Sequence, residues 1–175
     1  MPKQDQGTGL GRYKIIPRTL IFVFNREKVL LLKGAVTKRL WANRYNGIGG
    51  HIERGEDVLQ AARRELFEET GLADVSLVLC GTVLVDVEEK TGIGLYIFKG
   101  ETDTKDVKPS EEGDLEWVPL NSWQDLEMVE DLPYLLPRVI GYQKGQAPFS
   151  ALSHYDASDK LVVEFSESSP GFLTS

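Results

Sequence analysis

Three glutamates, Glu65, Glu68 and Glu69, are spaced so that one side of a helix would carry all three carboxylates. Like charges at these spacings destabilise a helix, and hard divalent cations, which bind carboxylate oxygens, would offset that repulsion. Two glycines just upstream, Gly49 and Gly50, permit a tight turn that could bring carbonyl oxygens against the same cations. The pattern therefore predicts a metal site shared by a loop and a helix, with a solvated acidic helix face as the alternative.

The elements that must position these groups are a helix and the strands that precede it. Apolar residues recur at helical spacing between Glu56 and Thr70, and Gly71 predicts the end of that helix. The β-rich run Tyr13–Asn25 and the apolar run that begins at Val29 predict two antiparallel strands joined by a short turn. The glycine-punctuated stretch before the helix predicts a loop.

The second half of the chain predicts further strands and one more helix. The expected strands are Val75–Val87, Ile93–Phe98, Leu115–Leu120 and a terminal hairpin of Phe149–His154 with Lys160–Phe165, and the expected helix is Asp131–Tyr142, with prolines near its start and middle. This order is typical of an α/β (α+β) fold in which helices pack on the faces of a mixed sheet. We expect one domain over residues 12–167, between tails at 1–11 and 168–175.

Composition narrows the partners. The formal net charge of −7 argues against binding to a nucleic acid polymer, which needs a basic face, although bound cations would let an acidic protein act on phosphates. No apolar run approaches membrane-spanning length, and the first residues lack the apolar core of a secretory signal, so we expect a cytoplasmic protein. The single cysteine, Cys80, falls in an apolar stretch that predicts a buried thiol.

A longer motif surrounds the glutamates. From Gly50 to Leu72 the chain has a glycine, a glutamate after five further residues, and after seven more the run REL, followed at fixed distances by EE and GL. This segment resembles the box that defines the Nudix hydrolases, and its many identities at fixed spacing make the resemblance specific. The resemblance implies a Nudix-type α/β/α sandwich, in which the box forms a loop, a helix and a loop beside a mixed sheet.

The same resemblance implies a reaction and residue roles. Water would attack a phosphorus of a nucleoside diphosphate linked to another moiety, while Mg²⁺ or Mn²⁺ polarises the phosphate oxygens and lowers the pKa of that water. Glu68 and Glu69 would bind metal, and Glu65 would bind metal or act as the general base. Arg64 would orient the carboxylates through charge-assisted hydrogen bonds, and Glu56 would pair with Arg64 and complement the helix dipole.

A further metal ligand is implied in the loop before a later strand. The candidates are Glu111 and Glu112, and Glu112 is preferred because it stands five residues before Trp117. That arrangement is similar to the one in eukaryotic-type 8-oxo-dGTP diphosphatases. A solvated acidic loop is the alternative.

Beyond the box, the segments YNGIGG and MVEDLPYLLP and the terminal hairpin resemble the MutT-like branch that hydrolyses oxidised purine nucleoside triphosphates. Asn46 matches an asparagine that reads the base edge there, or else it stabilises the turn. Asp131 matches the first of two aspartates that contact the purine, or else it caps the second helix. Leu132 stands where that branch has the second aspartate, and Val129 replaces a stacking aromatic, so the preference for an oxidised base stays open.

The sequence thus predicts a metal-dependent hydrolase that converts nucleoside triphosphates, including purine forms such as 8-oxo-dGTP, to the monophosphate and pyrophosphate. In the basic loop, Lys38 is the chosen phosphate contact, and the protein is expected as a monomer or homodimer. The alternatives are a nucleotide-sensing domain without turnover, and a Nudix enzyme acting on ADP-ribose or dinucleoside polyphosphates. The intact glutamates disfavour the sensor, and the ADP-ribose branch usually carries a proline that residues 71–107 lack.

Overall fold

The computed structural model describes residues 11–36 and 41–166, which form a mixed eight-stranded sheet with helices on both faces. The elements are β1 (Lys14–Asn25), β2 (Lys28–Gly34), β3 (Tyr45–Asn46), α1 (Val58–Thr70), β4 (Val78–Glu88), β5 (Thr91–Glu101), β6 (Gly113–Pro119), a 3-10 turn (Trp123–Asp125), α2 (Leu132–Gly141), β7 (Phe149–Tyr155) and β8 (Leu161–Phe165).

The sheet combines parallel and antiparallel pairs. Its main path runs β3-β2-β1-β5-β4-β7-β8, and β6 pairs with β2 off that path. β1 is antiparallel to β2 and parallel to β5, while β4 is antiparallel to β5 and parallel to β7. The expected hairpins β1–β2 and β7–β8 are both present.

Two hydrophobic cores lie on opposite faces of this sheet. In β1, alternate side chains point to opposite faces, so Phe22 enters the core beneath α2 and Ile21 enters the core beneath α1. Helix α2 contributes four fully buried residues to the first core: Leu132, Leu135, Leu136 and Val139. Helix α1 contributes Ala62 and Leu66 to the second. The predicted α/β/α sandwich is confirmed.

Residues 45–51 lie between β1 and β2 where these two strands have separated, and they form backbone hydrogen bonds to both. β1 and β2 pair only near their shared turn, where Val23 lies opposite Leu30 and Asn25 lies opposite Lys28. Farther along, β3 pairs with β2, and the backbone of Ile48 then exchanges hydrogen bonds with Ile21 of β1. The sequence predicted a loop here, and β3 was missed because so short a strand depends on its neighbours and not on its own pattern.

Helix α1 has clear signals at both ends. Asp57 is the N-cap, and its carboxylate accepts hydrogen bonds from the backbone N–H groups of Leu59 and Gln60, while the Asp57 N–H donates to Oε1 of the Gln60 side chain. The helix therefore begins two residues after Glu56, the predicted start. Gly71 ends it in the left-handed conformation, with φ of +77°, as predicted.

Helix α2 is anchored at its C-terminus by a lysine from the sheet. The Lys99 ammonium donates to the carbonyls of Ile140, at 3.1 Å, and Tyr142, at 2.8 Å, and lies over the ring of Phe24. These carbonyls lie where a helix has no internal donors left and where a cation is favoured. Lys99 therefore ties the far end of α2 to β5.

The predicted burial of Cys80 is confirmed. The thiol is fully buried in β4, and burial raises its pKa to about 12. None of the helices in the described ranges has the length and apolar character needed to span a membrane.

Replacing Lys99 by methionine should weaken the anchoring of α2. The aliphatic stem is kept, but two helix-end carbonyls lose a charged donor, so we expect the free energy of unfolding to fall by about 1–2 kcal/mol. Urea denaturation monitored by circular dichroism measures this. The matched control is Lys90→Met in the exposed β4–β5 turn, which should change stability little, and equal effects of the two variants would contradict the anchoring role.

Candidate active site

A cavity of about 750 Å³ opens between the loop of residues 41–53, helix α1 and the sheet face that also carries α2. Part of its wall is acidic, formed by Glu65, Glu69 and Glu112. Another part is apolar, formed by side chains of β4 and β5: Val85, Val87, Ile93 and Leu95. Its size is that of a small-molecule site, and it joins a surface suited to cations to one suited to an apolar ring.

Arg64 is the centre of a charged network beside this cavity. Its Nε and Nη2 donate to the two oxygens of Glu56, at 2.7 and 2.9 Å, and Nη1 donates to Glu65 at 2.8 Å and to Glu68 at 3.1 Å. Nη2 also donates to the backbone carbonyl of His51 at 3.0 Å. One guanidinium thus joins the acidic stripe of α1 to the chain before it and lowers the repulsion between the carboxylates.

The electrostatics of the pair follow from these bonds. The hydrogen bonds from Arg64, aided by the backbone N–H of Glu53, lower the pKa of Glu56 from 4.5 to about 2. The same carboxylates raise the pKa of Arg64, so its charge is permanent. Glu56 does not lie in the first turn of α1, and its carboxylate serves the Arg64 guanidinium.

The two glycines ahead of α1 are required by close approaches. Gly49 has φ of +144°, and a Cβ there would collide with the backbone carbonyl of Thr19. A Cβ on Gly50 would lie 2.6 Å from Oε1 of Glu65. The Gly50 carbonyl accepts a hydrogen bond from the Thr19 N–H at 2.9 Å, which fixes the loop against β1. The missing side chain of Gly50 therefore leaves room for the Glu65 carboxylate.

The donor set fits a hard divalent cation. Carboxylate oxygens of Glu65, Glu69 and Glu112 and the backbone of Gly49 and Gly50 line one cavity, and oxygen ligands of this kind suit Mg²⁺ or Mn²⁺. Within residues 11–36 and 41–166, however, no three acidic, histidine or cysteine side chains are gathered into a ready-formed metal site. Binding a cation would therefore require carboxylates to rotate inward.

Glu68 differs from the other two glutamates of the helix. It does not line the cavity, 56% of its side chain is exposed, and its carboxylate accepts from Arg64. Its expected role as a ligand needs a different rotamer from the one seen here. Glu112, in the loop before β6, lines the cavity, and its role as a metal ligand stays a prediction.

The two predicted base contacts both line the cavity. The side-chain oxygen of Asn46 accepts a hydrogen bond from the backbone N–H of Gly47 at 2.8 Å, so Asn46 stabilises the turn and also lines the cavity. Asp131 occupies the N-cap position of α2, but its side chain makes no capping hydrogen bond. Burial raises the pKa of the Asp131 carboxyl. Hydrogen bonds from the backbone at Asp131 and Leu132 oppose this rise in the pKa.

The residues that depart from the purine pattern are structural. Val129 and Leu132 are buried in the core beneath α2, although Val129 also reaches the cavity wall. The predicted phosphate contact Lys38 lies outside the described residues, whereas Arg44 of the same basic segment lines the cavity.

Several cavity residues were not predicted from the sequence. They are Arg18 on β1, Trp41 beside the loop, and Ser153 and Tyr155 on β7. Alternation along β1 and β7 places Arg18 and Ser153 on the face that carries α2, which was readable from the sequence. Helix α2 covers only part of this sheet face, and the uncovered part forms the cavity. Which part stays uncovered depends on the packing of α2 and not on strand alternation.

Known proteins resemble the chain in sequence and in fold. The NUDIX domain family profile matches residues 14–139. An oxidized purine nucleoside triphosphate hydrolase of Danio rerio is 30% identical over 143 residues, covering 78% of this chain and 90% of that protein, and its namesake in Mus musculus is 29% identical over 127 residues, covering 72% and 80%. The crystal structure of a MutT protein from Bacillus halodurans superposes with a TM-score of 0.72 at 24% identity, covering 86% of this chain and 97% of that one.

The ion pair of Glu56 should make stability depend on acidity. Because its folded-state pKa of about 2 lies below the ordinary 4.5, the stabilisation is complete above pH 4.5 and is lost as the pH falls toward 2. Replacing Glu56 by glutamine removes this contribution. The difference in unfolding free energy between wild type and Glu56→Gln should therefore shrink between about pH 6 and about pH 3, measured by urea titration at each pH. A difference that stays constant over this range would contradict the pairing.

The two glycines should respond differently to alanine. Gly49→Ala meets a backbone carbonyl at positive φ, so we expect a loss of about 2–4 kcal/mol in unfolding free energy. Gly50→Ala meets only the end of the Glu65 side chain, which can turn away, so its loss should be about 1 kcal/mol or less. Thermal and urea denaturation of both variants provide the measurement. The reverse order would show that the loop is not held as described.

Proposed function

The chain belongs to the NUDIX domain family, and on that premise we propose that this Nudix hydrolase uses a divalent metal to cleave nucleoside triphosphates, among them purine and oxidised purine forms. The products would be a nucleoside monophosphate and pyrophosphate. A water oxygen bonds to phosphorus, the α–β anhydride bond breaks, and the proton of the water passes to a carboxylate. The observation that carries the proposal is one cavity with an acidic, glycine-bordered wall beside an apolar wall.

The residues of the acidic wall would act as follows. Glu65, Glu69, Glu112 and the backbone at Gly49 and Gly50 would hold Mg²⁺ or Mn²⁺. The metal, when bound, supplies Lewis-acid polarisation of phosphate oxygens and a lowered pKa for bound water.

Arg64 and its partners would position that wall. Arg64 donates to the Glu65 carboxylate through Nη1 and is itself fixed by the bidentate contact with Glu56, so this contact would favour the Glu65 orientation seen in the structure without locking it. Glu68 shares the same nitrogen and would join the ligands after turning from Arg64. Glu65 would then serve as a ligand or as the base that accepts the proton of water.

Support for a nucleoside triphosphate comes from the relatives and from the apolar wall. The fish and mouse proteins are named for hydrolysis of oxidized purine nucleoside triphosphates. Here, Val85, Ile93 and Leu95 form an apolar surface, and Asn46 and Asp131 supply polar groups at its border. An apolar surface with a few convergent polar groups is typical of sites that bind a heterocyclic base.

Removing one carboxylate should abolish turnover without unfolding the protein. In Glu69→Gln the side chain keeps its shape and loses its charge, and we expect kcat to fall about 100-fold or more. Mutating a residue that only hydrogen-bonds to a metal ligand already lowers activity by up to about 100-fold, and a ligand itself should matter at least as much. Pyrophosphate release is measured from normal and oxidised purine triphosphates, and the nucleotide products are measured by chromatography for ADP-ribose and dinucleoside polyphosphates, each with and without Mg²⁺.

The matched control is Glu89→Gln, an exposed glutamate in the β4–β5 turn, which should leave turnover unchanged. Full activity of Glu69→Gln, or turnover of triphosphates that persists after chelation of metal, would overturn the mechanism. Binding of triphosphates by the wild type without release of pyrophosphate would instead favour a nucleotide-sensing domain.

A further inference from the structure

Ser153 has a buried hydroxyl that finds no hydrogen-bond partner among the described residues. It lies in β7, its exposure is 1%, and it contributes to the wall of the cavity. Within the described part of the chain, its Oγ makes no hydrogen bond. A buried hydroxyl in this condition carries a desolvation cost, and most buried polar groups in proteins avoid it. The cost is recovered if a ligand in the cavity supplies the missing bond.

The neighbours of Ser153 form an apolar floor. In the sheet register Ser153 lies beside Val85 of β4, and Val85 lies beside Ile93 of β5. All three line the cavity. A flat ring resting on Val85 and Ile93 would therefore present its edge to the Ser153 hydroxyl.

The opposite border of the floor is cationic. Arg18 of β1 is paired with Leu95 of β5 and forms a backbone bridge with His51, directly after the Gly49–Gly50 loop. Its Nε is buried and has no hydrogen-bond partner in the described ranges. The anionic part of a nucleotide is drawn toward Arg18 and the metal-binding wall, so its neutral part extends over the floor toward Ser153.

The polar groups near Ser153 are committed elsewhere or face the same space. The Tyr155 hydroxyl donates to Glu130 at 3.4 Å, so it does not serve Ser153. Asp131 also lines the cavity, although its carboxyl receives hydrogen bonds from the backbone at Asp131 and Leu132. Ser153 and Asp131 are thus two polar side chains that converge on one cavity beside an apolar floor.

We propose that Ser153 is a specificity-determining residue, whose hydroxyl hydrogen-bonds the edge of the purine base that rests on Val85 and Ile93, with Asp131 as the second polar contact. This inference rests on the nucleotide site of the proposed function and does not require hydrolysis. A hydroxyl is both donor and acceptor, so it can bond a ring nitrogen, a keto oxygen or an amino group of the base.

Binding without turnover tests the inference directly. The Kd values of GMP and AMP are measured by calorimetry in EDTA for wild type, Ser153→Ala and Ser150→Ala. Ser150 is the matched control, because it is an exposed serine on the same strand that does not line the cavity. Ser153→Ala should weaken binding of at least one purine monophosphate about three- to tenfold, and Ser150→Ala should leave both Kd values unchanged. Pyrophosphate with Mg²⁺, which has no base, should bind the wild type and both variants equally.

The stability of the free protein separates recognition from a structural role. Because the Ser153 hydroxyl has no hydrogen-bond partner in residues 11–36 and 41–166, Ser153→Ala removes a buried unsatisfied group and should raise the Tm by about 2–4 °C. Weaker purine binding with an unchanged or raised Tm supports the proposal. A lowered Tm would assign Ser153 a structural role and overturn the proposal. Unchanged purine binding, or failure of the wild type to bind either monophosphate, would also overturn it.

Ser153→Thr, which keeps the hydroxyl, should retain more affinity for the purine monophosphates than Ser153→Ala. Equal losses in the two variants would contradict the hydrogen bond.

The outcome is independent of the hydrolytic assignment. Purine binding that depends on Ser153 in a protein without turnover would uphold the inference and refute the proposed function. Turnover of triphosphates with the same KM for each base in wild type and Ser153→Ala would uphold the function and refute the inference.

Discussion

The candidate site depends on one guanidinium. Arg64 spans from Glu56, ahead of α1, to Glu65 on the helix and to the carbonyl of His51 in the preceding loop. Without it, an acidic helix face would be held only by the core beneath it, and the repulsion between neighbouring carboxylates would oppose their approach. The protein concentrates negative charge at one place. The partly buried guanidinium of Arg64 makes that concentration compatible with a folded helix.

Much of the fold followed from local patterns. The N-terminal strand pair, the box helix with its stop at Gly71 and the terminal hairpin were all readable, because period, caps and glycine positions are encoded within short segments. The helix start was displaced, since Asp57 provides a capping box that outweighs Glu56 as a terminus. β3 was not readable, because two residues become a strand only when β2 offers an edge.

The site was readable in part for a related reason. The motif predicts Glu65 and Glu69 as site residues and a separate resemblance in a later loop predicts Glu112, and all three line one cavity in the structure. The sequence did not reveal Arg18 or Ser153, because strand alternation tells which face a side chain occupies and not which part of that face a helix leaves uncovered. The sequence also could not reveal that the Glu68 side chain turns to Arg64, because the rotamer of a side chain depends on its neighbours in space and on competing charges.

The segment of residues 45–51 is paired through its backbone with β2 on one side and with β1 on the other. A loop held in this way is a fixed rim, since moving it would break backbone hydrogen bonds to two strands at once. Any closure around a ligand must then come from the other walls, and contacts with this rim cost little ordering entropy because its surface is already rigid. Adaptation to different ligands is confined to the parts of the cavity farthest from that rim.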